Sequence, residues 1–183
     1  MVCVYTDHVY FISMTKILCL SGSLRSNSST HIILNEIINS RKDIQFTVYD
    51  NLGKLPHFND APESPEQVLH FREALKSADA VLFVTPEYAF GVPGTLKNAL
   101  DWTVSSGEFV NKPTAVIVAS TGGENAFHSL LLTLNAISAR IGEKSTLLVS
   151  FIRSKISQQK VMDDKLTASL KVVVDDLMMT IES

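Results

Sequence analysis

The sequence predicts a three-layer α/β sandwich, a five-stranded parallel sheet in the order 2-1-3-4-5 with helices on both faces. Three observations lead there. Short apolar runs alternate with segments of helical period five times along the chain. The runs 80–84 (Ala-Val-Leu-Phe-Val) and 114–119 are continuously apolar, as strands covered on both faces are. No repeat, low-complexity tract or linker interrupts the alternation, so residues 14–183 read as one domain. Right-handed crossovers leave few ways to wind such a chain, and 2-1-3-4-5 is the common order for five strands.

Each element has a local reason. The first strand, 17–20 (Ile-Leu-Cys-Leu), breaks into small polar residues around Gly22. The first helix follows over 31–40, with Ile32, Ile33, Leu34, Ile37 and Ile38 as its apolar side. The β-branched and aromatic run 45–49 is the second strand. Residues 51–65 carry Gly53, Pro56, Pro62 and Pro65 and are too punctuated for regular structure. The second helix is 66–77, started by Ser64 or Pro65. The third strand, 80–84, leads into a loop over 85–92 and a third helix from Pro93 or Gly94 to Val104. The fourth strand, 114–119, ends in Ser120, Thr121, Gly122 and Gly123. A fourth helix over 126–141 is stopped by Gly142, 146–149 is the fifth strand, and helix 163–181 closes the chain.

Composition narrows the function classes. With 183 residues, 45% hydrophobic and 19% charged, the chain is an ordinary globular domain able to bury one core. A net charge of -3 without a basic cluster gives nucleic acid no electrostatic footprint. No apolar run is long enough to cross a membrane, so a soluble protein is expected. Cys3 and Cys19 have neither metal-ligand nor redox spacing, and Cys19 reads as a small buried residue in the first strand. The composition suits the reducing cytoplasm. Residues 1–13 lack a basic n-region and are interrupted by Asp7 and His8, which makes a poor signal peptide. They read as an N-terminal extension upstream of a start at Met14, the alternative being an extra edge strand.

In this winding, ligands bind at the carboxyl ends of the strands, at the switch point between strands one and three. Three unusual loops fall there. The first brings the hydroxyls of Ser21, Ser23, Ser26, Ser28, Ser29 and Thr30, with Arg25 among them, to the start of a helix. Hydroxyls, a planar cation and unpaired helix N–H groups together suit a phosphate. An N-cap alone would explain the serines but not the arginine. The second loop carries Pro86, Glu87, Tyr88, Ala89, Phe90 and Gly91 and runs on to Pro93 and Gly94. Prolines stiffen it, glycines permit close backbone approach, and Tyr88 and Phe90 offer apolar walls, which suits a flat aromatic ligand. The third is Ser120 to Gly123, beside the other two.

Plainer roles compete at single positions. Trp102 reads as core, Lys97 and Asp101 as a surface pair four residues apart, and Glu87 as solvated. His31, His57, His70 and His128 have no ligand spacing, so no metal is expected. Ser23 lies in no Gly-x-Ser-x-Gly elbow, which argues against a hydrolase.

Gly22-Ser-Leu-Arg25-Ser-Asn-Ser28, together with Pro86-Glu-Tyr88 and Gly91-Val-Pro-Gly94-Thr-Leu-Lys-Asn-Ala-Leu-Asp-Trp102, resembles the signatures of the NADPH-dependent FMN reductase family. That resemblance runs from about Lys16 to the last helix and implies a flavodoxin-like fold. It implies that Ser23, Arg25, Ser28, Ser29 and Thr30 hold the FMN phosphate. Pro86, Glu87, Tyr88, Ala89, Phe90 and Gly91 would then line the isoalloxazine, and Ser120, Thr121, Gly122 and Gly123 close over its other edge. Ala89 and Thr30 stand where the family often carries asparagine, so a side-chain contact to the flavin is expected to be missing at Ala89 and both changes are expected to weaken flavin affinity.

The implied activity is FMN-dependent NAD(P)H oxidoreduction, by ping-pong hydride transfer to a flavin, quinone or similar small oxidant, with no catalytic side chain. A flavodoxin-like electron carrier and a non-catalytic flavin-binding protein are the alternatives. The global charge of -3 does not supply a carrier's acidic docking face. A homodimer or homotetramer is expected from the resemblance. It is also expected from apolar Leu96, Ala99, Leu100, Trp102 and Val104 in the third helix and from the thick apolar face of the fourth.

Overall fold

The carboxyl ends of five parallel strands lie along one edge of the molecule, and the rest of the fold holds them there. The computed structural model describes residues 14–60 and 62–183, so the expected extension over 1–13 lies outside the described residues. In chain order the elements are β1 (Thr15–Ser21), α1 (Ser29–Ser40), β2 (Ile44–Val48), α2 (Glu66–Ser77), β3 (Ala80–Thr85) and α3 (Gly94–Asp101). They continue as β4 (Pro113–Ala119), α4 (Glu124–Ala136), β5 (Arg140–Val149), β6 (Ile156–Ser157), β7 (Lys160–Val161) and α5 (Asp164–Glu182). The large sheet has the order β2-β1-β3-β4-β5 with every pairing parallel, as the alternation of runs predicts.

Successive side chains of a strand point to opposite faces, so each central strand feeds two cores. Leu18, Leu20, Val81, Phe83, Val116 and Val118 pack under α2, α3 and α4. Ile17, Cys19, Leu82, Val84, Ala115 and Ile117 pack under α1 and α5. Every residue of β3 and β4 is buried. That burial explains why these strands are apolar without alternation. Burial also pushes the Cys19 thiol up to about 12, which leaves it protonated and inert.

The fourth helix differs from expectation. It ends at Ala136, and Ile141 and Gly142 belong to β5. Ser138 turns the chain with φ 61°, and the Ala139 N–H returns to the Leu134 carbonyl. Ile137 and Ile141 kept the apolar period going, which hid this break. Gly142 is no helix stop. It lies under α5, where a Cβ would come 2.2 Å from Asp176 Oδ2.

Other departures are smaller. A short 3-10 turn, Leu52–Lys54, sits inside the punctuated stretch. The hairpin of β6 and β7 is additional, turned by Gln158 and Gln159, both at positive φ. The third helix stops at Asp101 rather than Val104. Leu96, Ala99, Leu100 and Trp102 are core, so of the residues named for an oligomer surface on that helix Val104 alone stands out to solvent. The Trp102 indole N–H donates to the Pro56 carbonyl at 2.8 Å, and Lys97 and Asp101 form the surface ion pair.

Candidate functional site

The site begins where β1 and β3 end. Gly22 N–H donates to the Val84 carbonyl at 3.0 Å, and a Cβ on Gly22 would fall 1.9 Å from Thr85 Oγ1. A glycine is therefore required for the two strand ends to close side by side.

The first loop supports itself with its own hydroxyls. Ser28 is the N-cap of α1, its Oγ accepting from the His31 N–H. Ser28 Oγ also lies 2.8 Å from Thr30 Oγ1 and 2.8 Å from His31 Nδ1, and Thr30 Oγ1 lies 3.3 Å from Ser21 Oγ. Capping does not use up the loop: the chain of hydroxyls fixes it while Ser23, Ser28, Ser29 and Thr30 still line a crevice. The Ser28–His31 contact is not an acyl-transfer pair. Ser28 is buried and engaged in capping, and among the described residues no carboxylate hydrogen-bonds or ion-pairs with His31.

The second loop is a tight hairpin turn. Tyr88 and Gly91 exchange two backbone hydrogen bonds, at 3.0 and 2.9 Å, around Ala89 at φ 47° and Phe90 at φ 58°. Two positive φ values in sequence are the demand of a type I′ turn, which asparagine and glycine meet best. This gives the asparagine expected at position 89 a backbone reason. Phe90 projects into solvent at 81% exposure and Tyr88 is 46% exposed.

The third loop starts α4 at Gly123, φ 112°, where a side chain would strike Leu148 at 2.8 Å. With no side chain at that N-cap, capping comes from elsewhere. Glu87 Oε2 accepts the Ala126 N–H at 2.9 Å, so Glu87 is not the solvated residue its sequence context suggests.

These loops enclose a crevice of about 170 Å³ lined by the first-loop residues Ser23, Arg25, Ser28, Ser29 and Thr30 and by Pro86, Glu87, Tyr88, Ser120 and Thr121. Ala89, Phe90 and Gly91 form the turn beyond it, and Gly122 and Gly123 start α4 outside its lining. Ala119, Ile152 and Arg153 line it as well and were not expected. Ile152 and Arg153 come from the segment after β5, a fourth loop on the same edge. The signal available was positional, since every parallel strand of such a sheet ends on that edge.

Chemically, the crevice offers hydroxyls, the N-terminus of α1 and two guanidinium groups, with Glu87, its one acidic lining residue, already holding a backbone N–H. A phosphate monoester fits this donor set. The enclosed volume is below the roughly 300–1,000 Å³ of pockets that swallow a whole ligand, so the remainder of a nucleotide would lie along the open side by Tyr88. Among the described residues no group of three or more His, Cys, Asp or Glu could hold a metal ion.

A doubly wound sheet with a crevice lined by serines, a threonine and two arginines at its β1/β3 switch point defines a flavodoxin-like protein. The profile of the NADPH-dependent FMN reductases matches residues 15–153, and the chain belongs to that family. It is 34% identical over 159 residues to an NAD(P)H-dependent FMN reductase of Pseudomonas aeruginosa, covering 82% of this chain and 86% of that one. A quinone reductase of Pseudomonas putida is 31% identical over 166 residues, covering 84% and 88%. Among solved structures, the flavoenzyme NAD(P)H:(acceptor) oxidoreductase of Paracoccus denitrificans superposes with TM-score 0.74 at 28% identity, covering 92% of this chain and 97% of its own. The protein is an FMN-dependent NAD(P)H oxidoreductase with a small-molecule acceptor. Among the described residues no helix is long and apolar enough to cross a membrane.

Proposed function

We propose that FMN is held with its phosphate in the crevice and its ring along Pro86, Glu87 and Tyr88, and that donor and acceptor take turns on the ring's open side. The observation that carries this is the meeting of the first-loop hydroxyls, Arg25 and the stiff second loop at one switch point. When bound, FMN supplies a two-electron relay from NAD(P)H to a quinone, flavin or similar oxidant, giving NAD(P)⁺ and the reduced acceptor with one proton taken from solvent.

The chain's own residues bind and orient. Ser23, Ser28, Ser29 and Thr30 offer donors to the phosphate, and Arg25 offers charge and a planar fork. Pro86 and the 88–91 turn shape the wall for the ring, with Ala89, Phe90 and Gly91 at its outer edge. Ser120, Thr121, Gly122 and Gly123 bound the other edge. No side chain is assigned a proton-transfer role, because protons exchange with solvent at an open site.

One open side cannot hold donor and acceptor together. Initial rates at several NADPH and quinone concentrations should therefore give parallel double-reciprocal lines, and converging lines would show a ternary complex instead. Flavin-free protein should take up FMN near unit stoichiometry. A protein that leaves FMN fluorescence unquenched would defeat the assignment.

A homodimer or homotetramer follows from the same openness. Tyr88, Phe90, Phe151 and Leu24 are exposed apolar side chains on the first, second and fourth loops at this edge, and Val104 and Leu132 stand out from the α3 and α4 side. A second copy would cover such surface and complete the half-open site. Light scattering at micromolar concentration should report a multiple of 20.1 kDa, and the monomer mass would refute this. The setting is the reducing cytoplasm, which the buried, unpaired Cys19 supports.

A further inference from the structure

Five arginines occur in the chain, and three of them are occupied. Arg41 pairs with Asp43 and Asp175, Arg72 donates to the Trp102 carbonyl and to Ser64, and Arg140 donates to Ser183. Arg25 and Arg153 have no side-chain partner among the described residues, and both line the crevice at the α1 N-terminus.

We propose that Arg153 is a second phosphate-binding arginine, which closes on the terminal phosphate of FMN from the β5 side while Arg25 holds it from the first loop. This rests on the reading that the crevice takes FMN. The placement of Arg153 is built, not incidental. Ile152, its neighbour, is 3% exposed and packs in the core beneath α1 and α5. The Phe151 and Ile152 N–H groups donate to the Thr121 and Ser120 carbonyls, both at 3.1 Å, which ties the segment to the third loop. Phe151 takes φ 55°, a conformation costly for an aromatic residue, to start the 3-10 turn Ile152–Ser154 that carries Arg153.

Charge gives the reason for two arginines. Two unpaired guanidinium groups facing one crevice repel each other, and an anion between them turns that repulsion into attraction. A phosphate monoester carries close to two negative charges at neutral pH, enough to match both. Riboflavin has no phosphate, and each phosphorus of a diester carries a single charge. Arg153 is thus a positioning and specificity residue for the terminal phosphate.

The test titrates FMN and riboflavin onto flavin-free wild-type, Arg153→Ala and Arg153→Lys protein, following flavin fluorescence at several salt concentrations. Arg153→Ala should weaken FMN roughly tenfold to a hundredfold, the worth of a charge-assisted hydrogen bond. Riboflavin affinity should stay the same, the salt dependence of FMN binding should flatten, and Arg153→Lys should recover part of the loss. Unchanged FMN affinity would overturn the proposal, and so would an equal loss for riboflavin, which would mark a structural role. A variant that alters NADPH against NADH preference while binding FMN normally would place Arg153 on the nicotinamide nucleotide instead. Wild-type protein that binds FMN no better than riboflavin would fail at the earlier step, and the FMN reading would fall with this one.

Discussion

Glu87 caps a helix through a residue thirty-nine positions further on: its Oε2 accepts the Ala126 N–H at 2.9 Å. Ala126 is the third residue of α4, whose N-cap Gly123 has no side chain to offer. The carboxylate also meets the positive end of the helix dipole. Glu87→Ala should cost about 0.5–2 kcal/mol, the usual worth of an N-cap, and Glu87→Gln clearly less because its carbonyl oxygen can still accept. Urea unfolding midpoints of the three proteins check this. Equal midpoints would mean that the link between the second and third loops is not a stabilising one.

Ala89 should be improvable. It holds φ 47° at the first central position of the 88–91 turn, followed by Phe90 at φ 58°. A β-carbon at positive φ costs about 1–2 kcal/mol, and asparagine and glycine tolerate that region better. Ala89→Asn and Ala89→Gly should each stabilise the protein by about 0.5–1 kcal/mol, a rise of about 1–4 °C in Tm. A lower Tm for both would show that the turn is not where the strain resides.

Arg25→Ala should weaken FMN binding by about 1.5–3 kcal/mol, as loss of a charge-assisted hydrogen bond does. Isothermal titration gives the number directly. FAD should bind the wild type less well than FMN, since its phosphates are diesters and the first loop is arranged around a terminal group. An unaltered FMN affinity would move the phosphate away from Arg25.

Asp163 makes part of the stability pH-dependent. Its carboxylate takes the Lys155 ammonium at 2.9 Å and the Leu166 N–H at 2.9 Å, capping α5 and tying it to the segment before the β6–β7 hairpin. The Lys155 hydrogen bond, with the Leu166 N–H second, holds its pKa below the ordinary 3.8. A lowered carboxylate pKa contributes stability above the unfolded value and loses it as pH falls through the folded one. Wild type should therefore lead Asp163→Asn in urea midpoint at about pH 5, and the lead should shrink by about pH 2.5. A gap that stays constant with pH would remove Asp163 from the acid response.

Periodicity and punctuation were enough to determine the α/β class, the strand order, and the first and second loops as two that meet at one crevice. Those features depend on which residues are buried on both faces and where the chain is forced to turn, and both leave a local trace in Ala80 to Val84, in Gly22 and in Pro86. The end of α4 left a misleading trace, because Ile137 and Ile141 continued the apolar spacing across a turn at Ser138. Gly142 looked like a helix stop and is a point of close approach for Asp176. Nothing near residue 153 distinguishes its arginine from a solvated one, and nothing near Glu87 names Ala126 as its partner. Only the tertiary structure decides such pairings, because a parallel sheet gathers the ends of distant strands on one edge, whereas local sequence reports just which side of each strand is covered.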